Sequence, residues 1–242
     1  GWARDALGLP ASGETAALYR NDGPLGFTDV TAAVGLDDQH ATMGAGFGDF
    51  DHDGFPDLYL GTGAAAFDGI EPNTAYLSDR GAWFHDVTTA MGTGHLQKGH
   101  GVSFADLDED GDEDLLVDMG GAYPSDAFMD ALFANPSDPP HGVILRLEGV
   151  RANRSAIGAR VRLLTDLGTR HHLISQGGSF GGNSLQVEAG LAPGELLLGA
   201  EIDWPGGATE ALHDLPLDAV VDVREGEGVV ASRPLRRLPM AA

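Results

Sequence analysis

An acidic nine-residue loop written twice, 57 positions apart, constrains this chain more than anything else in it. Asp49-Phe-Asp51-His-Asp53-Gly54-Phe55-Pro-Asp57 and Asp106-Leu-Asp108-Glu-Asp110-Gly111-Asp112-Glu-Asp114 both read DxDxDGxxD. Carboxylates at loop positions one, three and five, a glycine at six for the sharp turn and a main-chain carbonyl at seven match the first half of a calcium loop, because Ca2+ takes roughly six to eight hard oxygens at loose geometry. An EF-hand ends its loop with a bidentate Glu at position twelve. Here that position holds Leu60 or Val117, and the last carboxylate, Asp57 or Asp114, arrives three residues early. The expected ligands of one ion are Asp49, Asp51, Asp53, Asp57 and the carbonyl of Phe55. Those of a second are Asp106, Asp108, Asp110, Asp114 and the carbonyl of Asp112. A merely solvated acidic face has no reason to order its aspartates around Gly54 and Gly111 in this way.

The flanks argue against an EF-hand, whose loop sits between amphipathic helices. Met43 to Gly48 and Leu58 to Gly63 frame the first loop, and Gly101 to Ala105 and Leu115 to Gly120 the second; these short, glycine-punctuated apolar runs read as strands. The 57-residue register also extends past the loops without a gap. Tyr19 aligns with Tyr76, Phe27 with Phe84, Asp29-Val30-Thr31 with Asp86-Val87-Thr88, Phe47 with Phe104, and Gly63 with Gly120. A fixed period of this size marks stacked supersecondary units. Roughly four short strands per repeat suit a propeller blade.

Composition supports a loop-rich β protein: 36 glycines and 13 prolines in 242 residues disfavour long helices, and no apolar run reaches the ~20 residues of a membrane span. The net charge of −23 is lopsided, with 25 acidic against 4 basic residues in 1–140 and 12 against 10 in 141–242. Such an acidic half repels nucleic acid and anionic lipid and attracts divalent cations. With no cysteine there is neither a disulfide framework nor a thiol nucleophile. The sequence opens on Gly1 and shows no signal peptide, and one removed by processing is compatible with that. Low-affinity calcium modules fill where Ca2+ is about millimolar, so an extracytoplasmic location, periplasmic or secreted, is expected.

A boundary is expected near 134–141, where proline and small polar residues interrupt the apolar pattern. Residues 1–140 then hold two calcium-binding repeats. Residues 141–242 read as six or so short strands, for which a small antiparallel β barrel or sandwich is the natural packing. The fold class is all-β, an incomplete two-repeat propeller followed by that barrel or sandwich.

These residues carry a resemblance. LYRNDGPLGFTDVTAAVGL followed by GFGDFDHDGFPDLYLG resembles the FG-GAP or VCBS repeats of integrin-type propellers. LxLxG, NR, IGARV, GGSF, GL and WPGG, in that order, are similar to the UnbV/ASPIC domain of cartilage-acidic-protein-like chains, and together the two matches span about residues 15–228. The resemblance implies calcium in both loops and an adhesive or scaffold role rather than catalysis. Two departures stand out. A propeller closes with four or more blades and only two full repeats are present, and Val187-Glu-Ala-Gly-Leu191 replaces the family's HFGLG-like stretch. The open blade edges are expected to be covered by the C-terminal domain or by a protein partner. A fragment of a longer adhesin-like propeller is the alternative.

Enzymatic readings rest on weaker residues. Gly177 to Gly181 formally matches GxSxG around Ser179, with Asp203 and His213 following in hydrolase order, but a nucleophile elbow needs a strand running into a helix and the text after Ser179 is β-type. His171 and His172 are adjacent strand residues and point to opposite faces, which makes a poor transition-metal pair. His40, His52, His85, His95 and His100 read as solvated loop histidines. Arg154 and Arg160 read as structural hydrogen-bonders, and Trp204 as a buried indole at a strand-ending turn.

Overall fold

The computed structural model describes residues 16–64, 66, 69–121, 123–137, 139–177 and 180–239. The first repeat is a four-stranded antiparallel blade in chain order, β3 (Thr42–Gly48), β4 (Asp57–Thr62), β5 (Thr74–Asp79) and β6 (Trp83–Asp86). The second is β7 (Gly99–Ala105), β8 (Asp114–Met119) and β9 (Ala131–Phe133). Adding 57 to the bounds of β3 and β4 gives those of β7 and β8, so the sequence repeat is a structural one at single-residue resolution. The register also reaches backwards. A separate two-stranded ribbon, β1 (Tyr19–Asn21) and β2 (Phe27–Asp29), falls on the outer half of the following blade, and Asp29 caps the Thr31 amide at 3.0 Å as Asp86 caps that of Thr88 at 2.9 Å.

Among the described residues the second repeat has no fourth strand, and the sequence says why. In the first repeat Asp79 pairs with Trp83 at the end of β5; the matching position after β9 is Pro136, which has no N–H to give a ladder. Residues 141–143, which would align with β6, begin a strand of the next unit instead. The two blades pack through the alternating inward residues of their strands: Tyr59 and Ala75 of the first meet Val102, Phe104, Leu115 and Val117 of the second, all 2% exposed or less. Phe50 stands edge-on to Phe104 with ring centroids 5.2 Å apart.

The C-terminal part is a sandwich of two four-stranded sheets. One sheet orders β13 (Gln186–Leu191), β10 (His141–Glu148), β16 (Ala219–Arg224) and β17 (Gly228–Pro234). The other orders β12 (Thr169–Leu173), β11 (Arg160–Thr165), β14 (Leu197–Asp203) and β15 (Thr209–Leu212). The expected antiparallel sandwich is found, with one parallel pair inside it, β10 and β16. Their long separation in sequence removes the hairpin that would force the antiparallel sense. Val143, Leu145 and Val221 face Val161, Leu163 and Ile202 across one core. Trp204 is buried as expected and donates its indole N–H to Glu210.

The sandwich returns a glycine-rich segment to the blades. Gly181 to Ser184 runs beside β7: the Ser184 amide donates to the Phe104 carbonyl at 3.4 Å, and a Cβ added to Gly181 would lie 2.0 Å from the Val102 oxygen. Asn183 spans the gap between the two repeats, accepting from the Phe104 amide at 3.1 Å and donating to the Phe47 carbonyl at 2.8 Å. Asn183→Ala is expected to lower the thermal midpoint by about 3–6 °C, from roughly 1–2 kcal/mol of lost bonding. A variant melting with the parent in differential scanning fluorimetry would show the bridge to be idle. Because Asn183, Gly181 and Ser184 lie outside 1–140, that segment alone leaves β7 uncovered, and it is expected to dimerise or aggregate. A strictly monomeric, folded 1–140 in light scattering would contradict this.

Candidate metal centre

Each acidic loop is shaped by two left-handed residues. Position four, His52 at φ 61° or Glu109 at φ 57°, and position six, Gly54 at φ 85° or Gly111 at φ 104°, fold the chain back on itself. Glycine is required at position six of the first loop for a second reason: an added Cβ would meet Arg170 Cγ at 2.8 Å. The turn brings the amides of positions five and six onto the first carboxylate. Asp53 and Gly54 donate to Asp49 Oδ1 and Oδ2 at 3.1 and 3.0 Å, and Asp110 and Gly111 donate to Asp106 Oδ1 and Oδ2 at 3.1 Å each. Phe55 donates to Asp53 Oδ1 at 2.8 Å, and Asp112 to Asp110 Oδ1 at 3.1 Å.

The last aspartate closes the loop onto the blade. Asp57, fully buried, accepts from the amides of Phe50 and Ser78 at 2.7 Å each. Asp114 accepts from Leu107 and Asn135 at 3.0 and 3.1 Å. Ser78 and Asn135 are themselves 57 apart, so this tie repeats although the residues differ. The tie is made by the main-chain N–H, which any residue but proline offers.

Oxygens converge as a result. Asp49, Asp51 and Asp57 each bring one within 4.8 Å of the others, as do Asp106, Asp108 and Asp110, and among the described residues no other group of three or more acids or histidines does so. Asp53 of the first loop and Asp114 of the second, both expected as ligands, are not among these converging residues. Burial pushes Asp49, Asp57 and Asp106 up to about 7, in Asp49 against the pull of the Arg170 guanidinium. Burial also raises Asp53, Asp108 and Asp114. Asp108 Oδ1 is buried without a hydrogen-bond partner among the described residues. Clustered acids, one with an orphaned oxygen, are a donor set of the hard-oxygen kind that Ca2+ takes.

Several residues that hold the centre carry no local sequence signal. Arg170, on β12, is buried over the first loop, donating to the His52 carbonyl at 2.6 Å and to the Gly190 carbonyl at 2.8 Å, pairing with Glu195 at 3.1 Å and standing 3.5 Å from Asp49 Oδ2. His52 is not the solvated loop histidine expected from its place beside the repeats. It is 6% exposed, burial pushes it down to about 4, and its Nε2 meets Ser137 Oγ at 2.7 Å, which donates to Asp112 at 3.0 Å and so links the two loops. Arg233 clamps Glu109 with two bonds of 2.7 and 2.6 Å.

Other candidates fare differently. Ser179 lies outside the described residues, while Asp203 is engaged by Arg162 and by Thr209 Oγ1. His172 and His171 line a cleft of 430 Å³ between the first loop and the sandwich, beside Asp49, Glu113 and Glu188. Burial pushes His172 down to about 4, so it is neutral at physiological pH. Arg154, expected to hydrogen-bond within the sandwich, instead sits in a turn with its side chain 88% exposed and only approaches Glu148 at 3.6 Å.

Residues 149–230 match the ASPIC and UnbV family. The match covers most of the sandwich and leaves both acidic loops outside it. No curated protein matches the chain. Among the described residues, no helix is long and apolar enough to cross a membrane.

Proposed function

We propose that this chain is a calcium-stabilised binding or scaffold module that works outside the cytoplasm, possessing FG-GAP-type repeats and serving as an accessory unit of a larger protein assembly. The observation that carries the reading is the duplication of one geometry: two loops in which the same positions turn left-handed, the same amides bond the first carboxylate, and three carboxylates converge. When bound, Ca2+ would supply positive charge that offsets the mutual repulsion of these acids. Asp49, Asp51, Asp53, Asp57 and the Phe55 carbonyl would hold one ion, and Asp106, Asp108, Asp110, Asp114 and the Asp112 carbonyl the other. Millimolar Ca2+ outside the cytoplasm suits loops that lack the twelfth-position glutamate. The strong negative charge of 1–140 favours a basic or calcium-bridged partner surface over nucleic acid. Elemental analysis of protein dialysed against Ca2+ should find two ions per chain, and a value near zero would defeat the reading.

A further inference from the structure

The first aspartate of each loop is held from behind by a glutamate of the unit that follows it in the chain. The Asp49 amide donates to Glu113 Oε2 at 2.8 Å, and Glu113 is position eight of the second loop. The Asp106 amide donates to Glu188, which lies within β13 of the sandwich. These glutamates come from unlike local structures, an acidic loop and a β-strand, and their sequence positions are not related by the repeat. The first loop has Pro56 at position eight, so neither loop supplies its own acceptor. Glu188 is 7% exposed and is itself fixed by the Gln186 amide group, whose Nε2 donates to its Oε1 at 2.8 Å. Each capped residue is thereby pinned at both ends, its N–H by the glutamate and its carboxylate by two loop amides.

We propose that Glu113 and Glu188 are positioning residues for the two cation sites, and that the sandwich completes the second site through Glu188 as the second loop completes the first through Glu113. The proposal rests on the calcium reading above. Neither glutamate is placed among the ligands; each fixes the backbone of the aspartate that opens a loop, and outer groups of this kind commonly change metal affinity by about 10- to 100-fold. The arrangement also couples the two sites. Glu113 lies between Asp112 and Asp114, so an ion that orders the second loop orders the cap of the first, and by linkage each filled loop strengthens binding at the other to the same degree.

The full chain tests this by calorimetric titration with Ca2+, with Asp51→Asn or Asp108→Asn used to silence one loop at a time. In the Asp51→Asn chain, Glu188→Met keeps the buried volume but removes the acceptor, and is expected to weaken the remaining site about tenfold. Glu188→Gln, which retains a side-chain carbonyl, is expected to restore most of that affinity. In the Asp108→Asn chain, Glu188→Met should leave the first loop's affinity in place, whereas Glu113→Met should weaken it about tenfold. Melting in EDTA reports whether each variant is folded, and should Glu188→Met fail to fold, Glu188→Ala takes its place in the titration. Unchanged binding at the second loop, or equal weakening of both loops by the Glu188 variant, would overturn the proposal while leaving calcium binding intact. A parent chain that binds no Ca2+ would overturn the calcium reading and this proposal with it.

Discussion

Asp57→Ala is expected to melt about 10 °C below the parent chain even in EDTA, where no ion is present to be lost. The substitution strands the Phe50 and Ser78 amides, both of which now donate to the fully buried carboxylate at 2.7 Å. An unsatisfied buried donor costs about 2 kcal/mol, so two cost about 4 kcal/mol, and in a protein of this size each kcal/mol moves the midpoint by about 2–4 °C. Asp114→Ala should behave similarly through Leu107 and Asn135. By contrast, His213→Ala, at an exposed position after β15, should fall within about 0.5 kcal/mol of the parent. Thermal melts of the three variants rank them, and an Asp57→Ala midpoint equal to that of His213→Ala would mean the carboxylate is not the tie between loop and blade.

Calcium withdrawal is the second large effect. An ion at about fifty times its dissociation constant stabilises by about 2 kcal/mol per site, so excess EDTA should lower the midpoint by about 10 °C when both loops empty. The size of the drop should depend on pH. In the metal-free chain Asp49, Asp57 and Asp106 have folded values of about 7, raised by burial above the ordinary 3.8. A carboxyl whose value is raised on folding binds its proton more tightly in the folded state. Its contribution is therefore full below about pH 4 and is lost as pH climbs through 7, with a slope near 1.4 kcal/mol per pH unit per group as an upper bound. Acids held low, such as Glu225 by the Ala152 amide and Asp203 by Arg162, contribute in the opposite sense and lose stability only as acid protonates them. The metal-free chain is thus expected to be more stable at pH 5 than at pH 8. With Ca2+, which competes with protons for the same oxygens, the gap between loaded and stripped midpoints should widen from pH 5 to pH 8. A gap that stays constant, or narrows, would contradict this account.

What the sequence made legible was everything that depends on local spacing. The DxDxDGxxD loops, the strands on either side of them and the 57-residue register all follow from turn chemistry and alternation, and strand bounds recur at that interval in the fold. The ribbon β1–β2 was visible as an alignment of Tyr19 with Tyr76 and Phe27 with Phe84, though not as half a blade. The sandwich was visible as alternating apolar runs, but the parallel pairing of β10 with β16 was not, because pairing sense across a long connection leaves no mark in either strand. The residues that lock the centre were hidden for the same reason. Arg170 bonds a carbonyl 118 positions away and Asn183 one 136 positions away, and neither looks unusual among its neighbours. His52 lies in a loop beside the repeats, where a solvated histidine is expected, yet its backbone is left-handed and its ring meets Ser137.

The bonds between the repeats carry a consequence for how such a protein can change length. Asp49 reaches Glu113, His52 reaches Ser137 and Asn135 reaches Phe50, so each link joins one unit to the next and none of these three skips a unit. An in-frame duplication of the 57-residue unit that carries the second loop would repeat its strand boundaries and offer Asp106 a copied Glu113 at the 64-residue separation that Asp49 uses, whereas a copied first unit would bring Pro56 there instead. Insertions of other lengths inside a blade would put proline, glycine and aspartate out of step with the turns they make. Descent by tandem duplication is therefore open to this architecture in whole units, while the Pro136 edge and the sandwich behind it mark where such growth has to stop.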